Sequence, residues 1–351
     1  MEPMKIRDRG VQIGRLPTGR KNCITDIPGV MVGHVTLDFP LPNDEYACTG
    51  VTAILPHGDN LFTNKVIAAG HVLNGFGKTT GLVQVDELGV IEAPIMLTNT
   101  FAISAVTQGT LRYMLEQNSD IGDTTGTINL VVGECNDSHL NSIRLLPVEP
   151  KHAIEAIENA STNICEEGAV GAGKGMVCFG HKGGVGSSSR IIKDEESGTS
   201  FTMGCVIVSN FGKKEEFFDF RYQVNKDDNT PTVKNPADVS IMMVIATDAP
   251  LSNRQLKRVA KRCGVGLGRT GSHYSNGSGD IVIAFSTAHK IAHTASDMVE
   301  NRQELRDDHP IMNIIFQAAT EVIEEAILNS LSQAVLTKGR KGQVVYPYPF
   351  E

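Results

Sequence analysis

Short apolar runs bounded by glycine, proline and asparagine dominate the first 250 residues of this 351-residue chain. Runs of this kind predict β-strands. Several of them do not alternate with polar residues, which indicates sheets that are buried on both faces. The predicted strands are Val30–Val35, Gly50–Leu55, Gly81–Val85, Ile95–Thr98, Thr127–Val132, Met203–Val208, Ser240–Thr247 and Ile281–Phe285.

Helical periodicity occurs in fewer segments, namely Phe101–Glu116, His152–Ala160, Asn253–Cys263 and Pro310–Gln333. The third of these is preceded by a capping box made by Ser252 and Gln255, and Gly264 is its expected stop residue. The fourth is the longest and carries a wide apolar face. No repeat, low-complexity tract or Gly/Ser linker divides the chain, so residues 1–351 are predicted to form a single α/β mixed domain whose sheets are sandwiched by helices.

The most marked change from charged to apolar residues along the chain lies at Ser240. Residues 212–239 carry eleven charged side chains, from Lys213 to Asp238, and an uncharged apolar run starts directly after Ser240. The simplest interpretation is a solvent-exposed loop that enters a buried strand.

Composition excludes several classes of partner. The net charge is −8 and the sequence shows no basic cluster, which argues against nucleic acid. No stretch reaches the roughly 18 apolar residues that a membrane span needs, and the N-terminal segment has no signal-like apolar run. The seven cysteines are dispersed without a CxxC pair, as expected for reduced thiols. We therefore expect a cytoplasmic protein.

Two glycine-rich motifs resemble nucleotide-binding loops but lack the required context. GAVGAGKG, at Gly168–Gly175, has the lysine of a phosphate-binding loop in Lys174, but Gly175 stands where a magnesium-binding Ser or Thr is needed. GLGRTG, at Gly266–Gly271, follows a predicted helix instead of a strand. A glycine-rich turn is the better interpretation of each motif.

A zinc site is also disfavoured. His289 and His293 have helical spacing, but Lys290 stands where an HExxH site needs Glu. We therefore expect no cofactor, although a metal that bridges to substrate stays open.

Four segments resemble the DmpA-type aminopeptidases, the family of L-aminopeptidase/D-esterases and β-peptidyl aminopeptidases. They are VVGECNDSHLN (131–141), VIVSNFG (206–212), VSIMMVIATDAP (239–250) and NGSGDIVIAFSTA (276–288). The likeness extends over almost the whole chain, through residues 7–34, 93–100 and 181–190. It implies a four-layer αββα sandwich of the DmpA/ornithine-acetyltransferase type, and a homo-oligomer, often a tetramer.

The resemblance implies a self-processed hydrolase cleaved between Val239 and Ser240, into residues 1–239 and 240–351. The charged stretch would then be an exposed processing loop. A serine hydroxyl needs a base to take its proton. A freed α-amine, with a pKa of about 7.7–8, suits that role at neutral pH, whereas an amide nitrogen does not.

The resemblance also assigns roles to four further residues. Ser278 and Asp280 match a second serine and an acidic residue that orient the nucleophile Ser240. Asn210 matches an oxyanion-hole donor, and Glu134 matches an acidic residue that receives the free ammonium group of the substrate. The expected substrates are small peptides, amino-acid amides or esters.

Three positions depart from the family pattern. Val239 stands where Gly or Asn is common, Asn136 replaces a Tyr that helps to hold the oxyanion, and Asp280 stands where Glu is frequent. A β-branched Val239 does not favour the strained backbone of self-cleavage, which leaves an unprocessed, inactive scaffold or binding protein as one alternative. Asn136 favours another, a hydrolase of the same fold that acts on a non-peptide amide.

Overall fold

The computed structural model describes residues 2–222, 230–233, 239–295 and 297–350. The strands are β1 (Met31–Pro40), β2 (Tyr46–Leu55), β3 (Asn64–Gly75), β4 (Val90–Ile91), β5 (Ile95–Asn99), β6 (Val131–Cys135), β7 (Val177–Cys178), β8 (His181–Lys182), β9 (Gly184–Lys193), β10 (Ser200–Asn210), β11 (Ser240–Thr247), β12 (Gly279–Ala292), β13 (Thr337–Lys338) and β14 (Val344–Val345). The α-helices are α1 (Leu82–Leu88), α2 (Ile103–Gln117), α3 (Pro150–Glu158), α4 (Asn253–Arg269) and α5 (Ile311–Ser332).

Two sheets form the centre of the molecule. The four-stranded sheet has the order β1-β2-β5-β6, and the six-stranded sheet has the order β4-β3-β12-β11-β10-β9. Apolar side chains of α2 and α3 pack on the first sheet, those of α4 and α5 pack on the second, and a further apolar core lies between the sheets. The predicted four-layer αββα sandwich is thus confirmed.

Strand β11 shows why alternation is missing from the sequence. Ile241, Met243 and Ile245 belong to the core beneath α4 and α5, whereas Met242 and Val244 belong to the core between the sheets. Both faces of the strand therefore meet apolar layers, and all eight of its residues are buried.

Two wrong sequence predictions of local structure concern glycines. Gly81–Val85 was expected to be a strand, but helix α1 begins at Leu82. Gly264 was expected to end its helix, but α4 continues to Arg269. A Cβ on Gly266, in the next turn, would lie 2.4 Å from the carbonyl oxygen of Thr320 on α5. Gly266 therefore serves close packing of α4 against α5, and the helix continues through the glycines.

The charged stretch is partly packed against the domain. The side chains of Phe217 and Tyr222 are buried in the core beneath α4 and α5, and the Tyr222 hydroxyl donates to Glu324 Oε1 at 3.2 Å. The expectation of an exposed loop is therefore wrong for Phe217 and Tyr222, whereas Phe218, Phe220 and Arg221 are exposed as expected. Residues 223–229 and 234–238 lie outside the described residues. Within the described part of the chain, no helix is long and apolar enough to cross a membrane.

Candidate active site

Ser240 is the first residue of β11, a central strand of the six-stranded sheet. It pairs with Asn210, the last residue of antiparallel β10, and with Gly279, the first residue of parallel β12. Because three strand ends meet here, residues distant in sequence gather around one hydroxyl. The site thus depends on sheet topology, and the serine itself is only 4% exposed.

The amide of Gly279 faces one oxygen on each side of the Val239–Ser240 bond. Its N–H points to the Val239 carbonyl oxygen at 3.1 Å and to Ser240 Oγ at 3.3 Å. A Cβ on Gly279 would lie 2.8 Å from the carbonyl oxygen of Phe76 and 3.1 Å from the Cα of Gly77. Glycine is therefore needed at this position to bring β12 against the loop that follows β3.

Ser278 and Asp280 form a buried pair that flanks Gly279. The Ser278 hydroxyl donates to Asp280 Oδ1 at 2.6 Å, while Asp280 Oδ2 has no hydrogen-bond partner among the described residues. Burial raises the pKa of Asp280 to about 6, although the bond from Ser278 opposes this shift. The carboxylate is therefore ionised at neutral pH, and its charge is poorly compensated.

The side chain of Asn210 has a fixed orientation. Its Oδ1 accepts a hydrogen bond from the Val177 N–H at 2.9 Å, and the residue is 3% exposed. Since the oxygen end is held by the backbone of β7, the amide nitrogen is the end that can donate elsewhere. That polarity is the one an oxyanion donor requires.

Glu134 comes from the other sheet, near the end of β6. Its Oε1 accepts the Lys78 N–H at 2.9 Å, and its Oε2 accepts the hydroxyl of Thr100. A Cβ on Gly77 would lie 3.7 Å from both Glu134 Oε1 and the Cα of Gly279. The absence of a side chain at position 77 therefore leaves the carboxylate close to the strand end that contacts Ser240.

The remaining two predicted residues flank these groups. Val239 is half-buried and packs against the core beneath α4 and α5. Asn136 is half-buried, and its Oδ1 accepts the Ser138 N–H at 2.9 Å, which forms a local turn. Asn136 follows Glu134 by two residues, so the two side chains leave neighbouring positions at the end of β6.

Comparisons with known proteins identify the family. The model of peptidase family S58 matches residues 22–345, which is most of the chain. This chain belongs to peptidase family S58. A β-peptidyl aminopeptidase, BapA, of Sphingosinicella microcystinivorans is 37% identical over 367 aligned positions, covering 99% of this chain and 90% of that protein. BapA of Sphingosinicella xenopeptidilytica is 32% identical, with coverage of 99% and 89%.

Solved structures agree with the S58 assignment. The PH0078 protein of Pyrococcus horikoshii OT3 is 46% identical with a TM-score of 0.90, over 99% of this chain and 96% of that one. The L-aminopeptidase D-Ala-esterase/amidase of Ochrobactrum anthropi, a prototype of the serine aminopeptidases with a variant Ntn hydrolase fold, is 32% identical with a TM-score of 0.87, over 98% and 95%. The predicted resemblance to DmpA-type enzymes is confirmed, and the chain is an S58 hydrolase of the aminopeptidase class.

The S58 site also contains a buried lysine that the motif analysis did not single out. Lys182 is 0% exposed, and its ammonium donates to the carbonyl oxygens of Gly173, Met176 and Gly183 at 2.9, 2.9 and 2.7 Å. It therefore closes the hairpin β7–β8, whose Val177 N–H holds the oxyanion candidate. Burial lowers the pKa of Lys182 to about 7. A lysine followed by two glycines, in HKGG, was the available signal.

The motifs that were rejected as nucleotide or zinc sites have structural roles in this S58 fold. Lys174 donates to Asp38 Oδ2 at 2.6 Å, so its ammonium already pairs with a carboxylate. GLGRTG overlaps the last turns of α4. His289 lies on β12 and contacts the Gln303 carbonyl, whereas His293 contacts the Thr125 hydroxyl. Among the described residues, no group of three His, Cys, Asp or Glu side chains is placed to hold a metal ion.

Proposed function

We propose that this chain is a self-processing serine aminopeptidase with Ser240 as the nucleophile. The observation that carries the proposal is the position of the Ser240 hydroxyl, which is buried at a strand end beside the Gly279 N–H. The same N–H faces the Val239 carbonyl, so one donor serves both the nucleophile and the bond to be cleaved.

Self-processing begins when Ser240 Oγ attacks the Val239 carbonyl carbon. The C–N bond breaks, its nitrogen takes a proton and becomes the α-amine of Ser240, and the acyl group moves to Oγ as an ester. Water then hydrolyses this ester and releases the carboxylate of Val239. The Gly279 N–H, 3.1 Å from the Val239 oxygen, stabilises the negative charge that develops there.

Turnover uses the new α-amine as a base. It takes the proton of Ser240 Oγ, which attacks the acyl carbon of the substrate, and it returns that proton to the departing amine. The oxyanion is stabilised by the amide nitrogen of Asn210 and by the Gly279 N–H. The Ser278–Asp280 pair, bonded at 2.6 Å, orients the α-amine and favours its protonated form during the reaction. Water then cleaves the acyl-enzyme.

Glu134 selects substrates with a free amine. Its two oxygens are each held by one donor, the Lys78 N–H and the Thr100 hydroxyl, and a carboxylate can accept more than two hydrogen bonds. A substrate ammonium would fill the remaining acceptor positions as a charge-assisted bond. N-acetylation of the substrate is therefore expected to abolish hydrolysis.

Intact mass of the purified protein, combined with Ser240→Ala, tests the proposal. Wild type is expected as fragments of 239 and 112 residues, while Ser240→Ala stays at full length and does not hydrolyse aminoacyl anilides or β-peptides. Ser286→Ala is the matched control, because Ser286 is also buried on this sheet but contacts the Ala249 carbonyl. It should process and hydrolyse as wild type does.

Two outcomes would contradict the proposal. One is wild-type protein that stays full-length yet hydrolyses these substrates, and the other is a Ser240→Ala variant that still turns over. A wild type that neither cleaves itself nor hydrolyses any substrate would instead favour the scaffold alternative. The tetramer and the cytoplasmic location stay predictions, for native mass measurement and cell fractionation respectively.

A further inference from the structure

The hairpin β7–β8 holds Asn210 and the residue after it. The Val177 N–H donates to Asn210 Oδ1 at 2.9 Å, and the Phe179 N–H donates to the Phe211 carbonyl oxygen at 2.7 Å. Each strand of the hairpin has only two paired residues, and an isolated two-stranded hairpin is at best marginally stable. The position of the Asn210 side chain therefore depends on the contacts that stabilise this hairpin.

The turn of the hairpin increases the need for such contacts. It consists of Phe179 and Gly180, whose φ angles are 50° and 75°. Positive φ at both positions is typical of a tight β-hairpin turn, but it is unfavourable for a bulky residue such as phenylalanine. Contacts outside the turn must therefore offset the strain at Phe179.

Lys182 supplies such contacts at the base of the hairpin, where it is paired with Val177 across the two strands. Its ammonium donates to the carbonyl oxygen of Met176 at 2.9 Å, and this oxygen also accepts the Gly183 N–H at 3.0 Å. Met176 and Val177 share one peptide group, whose N–H is the one bonded to Asn210. A single planar peptide group therefore connects the buried cation to the oxyanion candidate.

The charge of Lys182 strengthens this connection. Its hydrogen bonds to three carbonyl oxygens use all three N–H groups of the ammonium form. Charge-assisted hydrogen bonds are roughly twice as strong as neutral ones, and in a buried site each hydrogen bond of a chain polarises the next. Because the cation polarises the Met176 carbonyl, the Val177 N–H becomes a stronger donor. The Asn210 amide is polarised in turn, and its NH₂ group becomes the better donor.

We propose that Lys182 is a positioning residue for hydrolysis, which acts through the Met176–Val177 peptide group to fix Asn210 and to strengthen the hydrogen bond from its amide to the oxyanion. This inference rests on the proposed function and adds a residue to it. Lys182 reaches the oxyanion only through Asn210, and the negative charge there develops in the transition state. Loss of Lys182 should therefore lower kcat and leave KM almost unchanged.

Steady-state kinetics of two Lys182 variants provide the first test. Alanyl and β-alanyl p-nitroanilides are supplied to processed protein at about pH 6.5, below the Lys182 pKa of about 7, so that wild type carries the charge. In Lys182→Met, which has no donor, kcat should fall about 10-fold, a part of the 10²–10³-fold that an oxyanion donor contributes. Lys182→Gln keeps neutral N–H donors without the charge, so its kcat should fall less, about 3-fold.

A double-mutant cycle with Asn210→Ala separates this role from damage to the fold. Asn210→Ala removes the side chain through which Lys182 acts, so adding Lys182→Met to it should cause no further fall in kcat. Damage that spreads through the fold would lower kcat by the same factor in both backgrounds. Self-processing should still occur in all variants, because it relies on the Gly279 N–H.

Lys174→Met is the matched control. Lys174 is a second buried lysine on the same segment, 8% exposed, but its ammonium donates to Asp38 Oδ2 at 2.6 Å. Its kcat and KM should equal those of wild type. If Lys182→Met does not yield folded, processed protein, Lys182→Gln takes its place in the cycle, since its amide can still donate to the carbonyls.

Two results would overturn this inference. One is wild-type kcat in both Lys182 variants, and the other is an equal fall in kcat when the Lys182 variant is added to wild type and to Asn210→Ala. The proposed function fails in a different way. It is lost if wild type hydrolyses neither anilide, or if Ser240→Ala hydrolyses them, and neither result depends on Lys182.

Discussion

Two groups of buried charges on the six-stranded sheet are equally shielded from water but differ in how completely they are paired. Between β9 and α5, Arg190 donates to Glu321 Oε2 at 2.9 Å and to Glu325 Oε2 at 2.7 Å, and it also donates to the carbonyls of Ser189 and Ile13, each at 2.8 Å. At the strand ends beside Ser240, the carboxylate of Asp280 has a single hydrogen bond within the described part of the chain, from the Ser278 hydroxyl.

The two carboxylates respond in opposite directions. Burial opposes ionisation of Glu321, but hydrogen bonds from the Arg15 N–H, Gln317 and Arg190 outweigh it and lower the pKa of that group. Burial of Asp280 is not outweighed, and its pKa rises to about 6. Similar burial therefore produces a structural ion cluster in one place and a carboxylate whose ionisation is disfavoured in the other, and the number of hydrogen bonds decides which.

The largest expected effect is on the paired cluster. Arg190→Met should lower the free energy of unfolding by about 3–5 kcal/mol, because it leaves buried Glu321 without its cation and Glu325 with Arg7 alone. Urea denaturation of processed protein measures this loss. The variant in which Arg190, Glu321 and Glu325 are all replaced by Met or Leu should recover much of it, since the charge then left without its carboxylate, on Arg7, is partly exposed to water. A loss below about 1 kcal/mol in Arg190→Met would show that the cluster is not a structural ion site.

The next largest effect is expected on catalysis, at the strand ends beside Ser240. Asn210→Asp keeps the oxygen that accepts the Val177 N–H at 2.9 Å but removes the NH₂ donor, so kcat should fall about 10²–10³-fold while KM changes little. Asn210→Ala should lose as much kcat and also some stability. Steady-state kinetics and thermal unfolding of both variants separate the two contributions. Full activity in Asn210→Asp would remove this residue from the oxyanion site.

Strand β11, which carries Ser240, was predictable because its signal is local. The change from charged to uncharged residues at Ser240 marks the start of β11, and the observed strand ends at Thr247 as predicted. The roles of Ser240 and four further site residues were assigned by family resemblance, and the topology then brings Asn210 and Gly279 alongside Ser240. Pattern alone gives no such pairing, because it depends on strand order.

Other elements lacked a local signal. Strand β9, Gly184–Lys193, contains three successive serines and an arginine, yet Ser187–Arg190 are all buried. Their partners are carboxylates and carbonyls of distant segments, so composition predicts a surface loop there. Lys78 and Gly77 were overlooked for the same reason, since each matters only through its approach to Glu134.

Replacement of Asp280 tests how much its buried charge lowers the free energy of unfolding. The pKa of Asp280 is raised from an ordinary 3.8 to about 6, so ionisation is harder in the folded state than in the unfolded state. Asp280→Asn should therefore increase the free energy of unfolding by up to about 3 kcal/mol above pH 6, and the gain should vanish below about pH 4. Thermal unfolding from pH 4 to pH 8 measures it.

Activity is expected to change in the opposite direction. Asp280→Asn should lower kcat, because the charge that favours the protonated α-amine is lost, whereas Asp280→Glu keeps that charge and should retain more activity. A wild-type pH profile of kcat/KM should rise as Asp280 ionises near pH 6 and as the α-amine deprotonates nearer its ordinary pKa of about 7.7–8. Asp280→Asn that is less stable at pH 8 than wild type would contradict the proposed cost.

The smallest effect on the free energy of unfolding is expected for a charge pair that is partly exposed to water. Lys174 donates to Asp38 Oδ2 at 2.6 Å, but the Asp38 side chain is 46% exposed. Water solvates the carboxylate when its partner is removed, so Lys174→Met should cost no more than about 1 kcal/mol of unfolding free energy. The same urea denaturation that is used for Arg190→Met provides the measurement. A loss as large as that of Arg190→Met would mean that exposing Asp38 to water does not relieve its unpaired charge. The number of hydrogen bonds alone could not then explain the difference between the Arg190 cluster and Asp280.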